Sequence, residues 1–187
     1  LTEIYESEHR LRNAKGEWIW VRARGKVVER DGSGGALRIA GTARDVTASR
    51  QAERERLIAI EVLRSMSEAV AVVGLDFHFI SVNPAFTKMT GYSNEEIVGQ
   101  SRRILNSQQH DATFYEAVKQ HLINTGHWSG EVWQRRKDHG DFLAQVELTE
   151  VLDDKGQRTH FVGVVSDITD SKRIEQELIH LANYDAL

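Results

Sequence analysis

Cysteine is absent from the 187 residues, which excludes disulfides, thiolate nucleophiles, cysteine-ligated zinc and iron–sulfur clusters. An excess of positive charge is also lacking. Lys and Arg total 24 against 28 Asp and Glu, a net charge of −4 that gives no footprint for nucleic acid or an anionic membrane surface. No apolar run is long enough to span a bilayer, and the start does not read as a signal peptide. The segment is therefore expected to be cytoplasmic and to make no membrane contact itself, although an anchor elsewhere in a longer parent is compatible with it. Catalytic signatures are missing too: there is no P-loop, no G-x-S-x-G and no kinase motif set. No two of the eight histidines form an H-x-x-x-H pair, so no metal site is expected. This segment reads as a non-enzyme.

What is present is alternating strand and helix. Glu6–Arg12, Trp18–Arg30 and Ala36–Ala43 read as strands, the last two joined by the Asp31-Gly32-Ser33-Gly34-Gly35 turn. Ala48 to Met66 is built of helix formers without Gly or Pro. Ala69–Val73 and His78–Val82 read as short strands around Gly74-Leu75-Asp76. The single proline, Pro84, follows Asn83, a preferred cap, and marks a short helix closed by Gly91. Ser93-Asn94-Glu95-Glu96 is a capping box, and Asp111–Asn124 a longer helix stopped by Gly126. Three strands follow, Trp128–Arg136, Phe142–Leu152 and Thr159–Ser166, before helix resumes from Asp170 to Tyr184.

The two ends repeat each other. Gly16-Glu17-Trp18 through Gly41-Thr42-Ala43-Arg44-Asp45-Val46-Thr47 parallels Gly140-Asp141-Phe142 through Gly163-Val164-Val165-Ser166-Asp167-Ile168-Thr169. The opening segment thus repeats the closing half of a complete domain.

Five ordered motifs carry a resemblance: Asn83-Pro84-Ala85-Phe86, Thr90-Gly91-Tyr92, Glu95-Glu96-Ile97-Val98-Gly99, Arg135-Arg136-Lys137-Asp138 and Asp167-Ile168-Thr169. Together they resemble the PAS family. The resemblance implies an α+β fold, a five-stranded antiparallel sheet with short helices on one face, flanked by long signalling helices. Residues 1–47 are then the closing half of a first PAS domain, 48–66 a linker helix, 67–169 a complete PAS domain and 170–187 an outgoing helix. The stretch Leu181–Leu187 resembles the opening of GGDEF diguanylate cyclase domains, whose catalytic signature is absent here. That implies a C-terminal effector in the same parent, in cyclic-di-GMP signalling.

Asp45 with Thr47, and Asp167 with Thr169, are the expected signal-relay residues. Thr at a helix start is expected to cap free N–H groups, with Asp favouring the positive end of the helix dipole. Ile174, Leu178 and Leu181 fall at coiled-coil spacing, so a homodimer through the flanking helices is the expected assembly. Trp18 and Trp20 lie two apart and face one side of their strand.

The interior has three readings. In the flavin photosensors of the LOV type a cysteine stands where this chain has Arg102, and a flavin-contacting Gln where it has Val165, so cysteinyl adduct chemistry is excluded. A non-photochemical flavin site, as in the nitrogen-fixation redox sensors this chain resembles at Trp128-Ser129-Gly130, would use Trp128, Asn83 and Val165. Haem, held through His110 or His121, is the second reading. The third is no cofactor at all, leaving a small-molecule ligand or a ligand-free dimerisation element.

Overall fold

The computed structural model describes residues 4–184, which divide into two compact units, 1–61 and 62–187. Among the described residues no helix is long and apolar enough to cross a membrane.

The first unit is a three-stranded antiparallel meander, β1 (Ile4–Arg12), β2 (Trp18–Arg30) and β3 (Ala36–Asp45), in that order. Its second turn is built by Asp31, whose carboxylate accepts the N–H groups of Ser33 and Gly35. The register puts Val21 opposite His9 on one side and Asp45 on the other, and Arg10 opposite Trp20. Trp18 and Trp20 therefore share one face with arginines: Arg12 lies 5.1 Å from the Trp18 ring and Arg50 4.0 Å from that of Trp20. The other face carries Val21 with Tyr5, Leu11 and Ile39, of which only Val21 is buried. Helix α1 (Thr47–Ser65) follows β3.

The second unit carries the core. Its five-stranded antiparallel sheet has the order β5-β4-β8-β7-β6, with β4 Ala69–Val73, β5 Phe79–Val82, β6 His127–Arg135, β7 Asp141–Leu152 and β8 Arg158–Asp167. Between β5 and β6 run α2 (Pro84–Thr90), α3 (Asn94–Ile97), a 3₁₀ turn (Arg102–Leu105) and α4 (Ala112–Thr125); α5 (Thr169–Tyr184) leaves β8. The caps fall where the sequence places them. Asn83 opens α2, Ser93 and Glu96 form the reciprocal box on α3, Asp111 opens α4, and Gly91 and Gly126 close helices at φ 81° and 75°. Alternation along β7 and β8 turns Phe142, Ala144, Val146 and Val165 inward into one cluster with Phe86, Ile97 and Tyr115, and buries Phe161 against Phe77. Full burial of each Phe contributes about 2–3 kcal/mol.

Candidate functional site

Asn83 stands at the entrance to this domain, and its amide is fully used. Oδ1 accepts from Val70 N (2.9 Å) and Phe86 N (3.0 Å), while Nδ2 donates to Leu63 O (3.2 Å) and Glu68 O (2.9 Å). A primary amide has two donors and an oxygen with two lone pairs. Nothing is left for a ligand, and Asn83 does not line the interior cavity. Its placement with the ligand-contacting residues is corrected: it caps α2 and pins the start of β4.

The cavity lies between the sheet and the helices and measures about 80 Å³. Its walls are apolar, with Phe79, Phe86, Val132 and Val165 among them, and its polar contributions come from Arg102, Asn106, Tyr115 and Gln134. Trp128 lines it and lies over Gly130, where a Cβ would stand 2.8 Å from the indole Cζ2. Val165 also faces it but offers only methyl groups.

His110 is elsewhere. Its Nε2 accepts the backbone N–H of Trp133 at 3.0 Å, and its ring stacks on Phe114 at 3.9 Å. Tyr115 works beside it, donating to Trp133 O (3.2 Å) and accepting from Ser107 N (3.0 Å). Burial raises the Tyr115 hydroxyl above its ordinary pKa. The pair closes the outer edge of β6, which would otherwise expose free backbone groups. The imidazole nitrogen a haem iron would need is already engaged, so the haem assignment of His110 gives way to an edge-capping role. His121 lies in α4 and is absent from the cavity wall.

The two strand–helix junctions share one geometry. In each, an Asp Oδ1 accepts the Thr N–H, at 2.8 Å for Asp45–Thr47 and 3.0 Å for Asp167–Thr169. The Thr Oγ1 then accepts from the neighbouring strand: Trp20 N at 2.8 Å for Thr47, Leu143 N at 2.9 Å for Thr169. The expected division of labour is thereby reversed. Asp caps the helix, and Thr reaches back to the sheet, its hydroxyl meeting the strand N–H just past the last ladder pairs, Val21–Asp45 and Ala144–Asp167.

The second junction has an additional contact. Arg136 pairs with Asp167 Oδ2 and also donates to the carbonyl of Met89 in α2, while its guanidinium lies 4.2 Å from the buried Phe142 ring. Burial alone would raise the Asp167 carboxyl, but the bonds from Thr169 and Arg136 hold it below its ordinary pKa. No motif spacing announces this bridge; the paired arginines of Arg135-Arg136-Lys137-Asp138 are its only signal in the sequence.

Family comparison agrees with this architecture. A family model described as the PAS fold matches residues 61–168, and a second of the same description matches residues 2–43. The chain belongs to the PAS family. The nitrogen fixation regulatory protein of Klebsiella oxytoca is 31% identical over 117 residues, covering 63% of this chain and 24% of that protein. A blue-light-activated histidine kinase of Rhizobium johnstonii is 27% identical over 126 residues, covering 66% of this chain and 36% of that one. The matches thus span 24% and 36% of these relatives' own length. Among solved structures, a PAS domain from Colwellia psychrerythraea superposes with a TM-score of 0.56 at 22% identity, covering 64% of this chain and 98% of that one. It shares the fold.

The flavin reading can be tested on the cavity itself. Sites for drug-sized molecules and cofactors enclose about 300–1,000 Å³, several times the 80 Å³ found here. Of the three residues expected to hold the ring, Asn83 is spent on backbone, Val165 is apolar and Trp128 is folded onto Gly130. As arranged, these residues do not fit a flavin.

Proposed function

We propose that this chain is the sensory and relay region of a signalling protein, passing the state of the second PAS interior through α5 to a C-terminal effector of the diguanylate cyclase kind. The observation that carries the relay is the Arg136 bridge. It joins α2, which packs on the cavity, to Asp167, which caps the outgoing helix. A change in the packing of α2 shifts the Met89 carbonyl, and Arg136 transmits it to the first turn of α5. The names of the curated relatives, a regulatory protein and a light-activated kinase, support a sensory role. The effector class rests on the resemblance of Leu181–Leu187 to the opening of GGDEF domains; residues 185–187 lie outside the described residues. In this reading the chain itself catalyses nothing.

A homodimer is the proposed assembly, because Ile174, Leu178 and Leu181 on α5 are all more than half exposed. The small cavity favours a second reading, in which the domain is a ligand-free dimerisation element.

The test uses the full-length parent, with cyclic-di-GMP synthesis as output. Asp167→Ala is expected to leave ligand affinity within about twofold while abolishing the ligand-dependent change in output. Equal loss of both would contradict the relay. A ligand can shift output only through different affinity for the two states.

A further inference from the structure

Two polar groups in the second unit's cavity are not accounted for by the fold. Gln134 Oε1 is buried and has no hydrogen-bond partner, alone in this among the buried side-chain atoms of the described residues. A buried acceptor of this kind is destabilising unless something donates to it. Arg102 is the second. Its guanidinium is largely desolvated, and the one bond it makes is from Nη2 to the backbone oxygen of Tyr115 at 3.2 Å, with the Tyr115 ring 5.6 Å away. It is not within ion-pair distance of any described carboxylate; Glu116 acts on it only at longer range, and Arg103 opposes it. Burial pushes its pKa below the ordinary guanidinium value.

Arg102 also belongs to two spaces at once. It lines the 80 Å³ interior cavity and, from the other side, an outer cleft of about 610 Å³ between the Asp76–His78 turn and α4. Arg103 and Lys119 line that outer cleft together with the carboxylates of Asp76 and Glu116. Arg102 is thus the one cation that lines both spaces among the described residues.

We propose that this cavity binds a small carboxylate carrying a hydroxyl or amino donor, its carboxylate paired with Arg102 and its donor satisfying Gln134 Oε1. The proposal rests on the sensory reading above and names the class of signal. Size sets the scale: with about 10–15 Å³ of such volume per water, the cavity holds the equivalent of roughly five to eight waters, room for a ligand of about that many heavy atoms. Apart from Asn106 and Tyr115 the remaining walls are apolar, which strengthens a desolvated charge pair and disfavours a larger polar ligand.

The experiment is isothermal titration calorimetry on the 187-residue chain with L-lactate and glycine as probes. Propionate, which lacks the donor, and 1,2-propanediol, which lacks the carboxylate, are the controls. The expected result is saturable one-to-one binding of at least one probe, weaker binding of propionate and none of the diol. Arg102→Gln should weaken the probe at least tenfold. Gln134→Met should weaken the probe but leave propionate unchanged, a pattern that loss of folding cannot mimic. Absence of heat with both probes at millimolar concentration would overturn the proposal, as would diol binding equal to lactate or an Arg102→Gln protein of unchanged affinity. Failure here is distinct from failure of the relay. If neither probe binds yet Asp167→Ala still alters α5, the ligand class is wrong and the relay stands. If lactate binds and Asp167→Ala weakens it equally with output, the relay fails and the ligand class stands.

Discussion

The two Asp-x-Thr junctions share their hydrogen bonds, and one residue in the neighbouring turn decides what each is connected to. Their registers align Trp20 with Leu143, since each supplies the N–H that bonds the Thr hydroxyl and the carbonyl that accepts from the residue between Asp and Thr. Counting back through the paired strands aligns Arg12 with Arg135 and Asn13 with Arg136. Asn13 is spent within its own turn, where its Oδ1 accepts from Lys15 N and Glu17 N. Among the described residues no basic side chain lies within ion-pair distance of Asp45, whereas Asp167 is tied to Arg136 and through it to α2. A strand-to-helix cap is therefore a local device, and becomes a relay only when an arginine links it to the packing of another element.

The largest way to break the comparison is Asn83→Ala, which acts on the second unit alone. It leaves two backbone N–H groups and two carbonyls without partners, and should cost about 3 kcal/mol. Urea unfolding followed separately by tryptophans of each unit checks this; a loss shared by Trp20 and Trp133 signals would mean that the units unfold together. Next is Arg136→Asn, which gives the second junction the residue found in the first. It should cost about 1 kcal/mol, since the bond to Asp167 is charge-assisted but partly open to solvent, and loosen α5 without altering α1. Thr47→Val and Thr169→Val sharpen the comparison from the other side. Each orphans one strand N–H, so both should cost about 1 kcal/mol, and unequal costs would show that the junctions are not equivalent.

The smallest effect is on pH. Asp141 is held below its ordinary pKa by bonds from Arg135 and Ser107, and Asp167 by Thr169 and Arg136 against the effect of burial. A carboxyl whose folded pKa lies below its unfolded one contributes stability that is complete above the unfolded value, about 3.9 for Asp, and lost as pH falls through the folded one. The second unit's urea midpoint should be flat from pH 7 to 5 and fall below pH 4. Asp141→Asn should flatten part of that fall, and an unchanged slope would argue against its ion pair.

Local signals were legible wherever chemistry and position coincide along the chain. Asn83, Ser93, Asp111, Gly91 and Gly126 mark caps because their side chains, or the lack of one, act within three residues. The repeat of Asp45–Thr47 in Asp167–Thr169 was equally plain. The 3₁₀ turn Arg102–Leu105 was not, since Arg-Arg-Ile-Leu has no period or cap that separates it from a loop. Nor were the second role of Asn83, pinning the start of β4, and the role of His110. Both are decided by backbone groups brought in from 13 to 23 residues away. The positive φ of Phe77 and His139, at 62° and 70°, is likewise imposed by tight turns rather than announced by glycine. The Arg136 bridge spans 31 residues to Asp167 and 47 to Met89, so only the folded sheet brings its ends together.

The most direct test is amide hydrogen exchange at Thr169–Lys172, the first turn of α5, in the parent chain, Arg136→Ala, Asp167→Ala and the double variant. If Arg136 reaches α5 through Asp167, each single change accelerates exchange there and the double change adds little to either, the non-additivity expected of residues in one network. Strictly additive acceleration, or an Arg136→Ala chain whose α5 exchanges as the parent does, would contradict the relay.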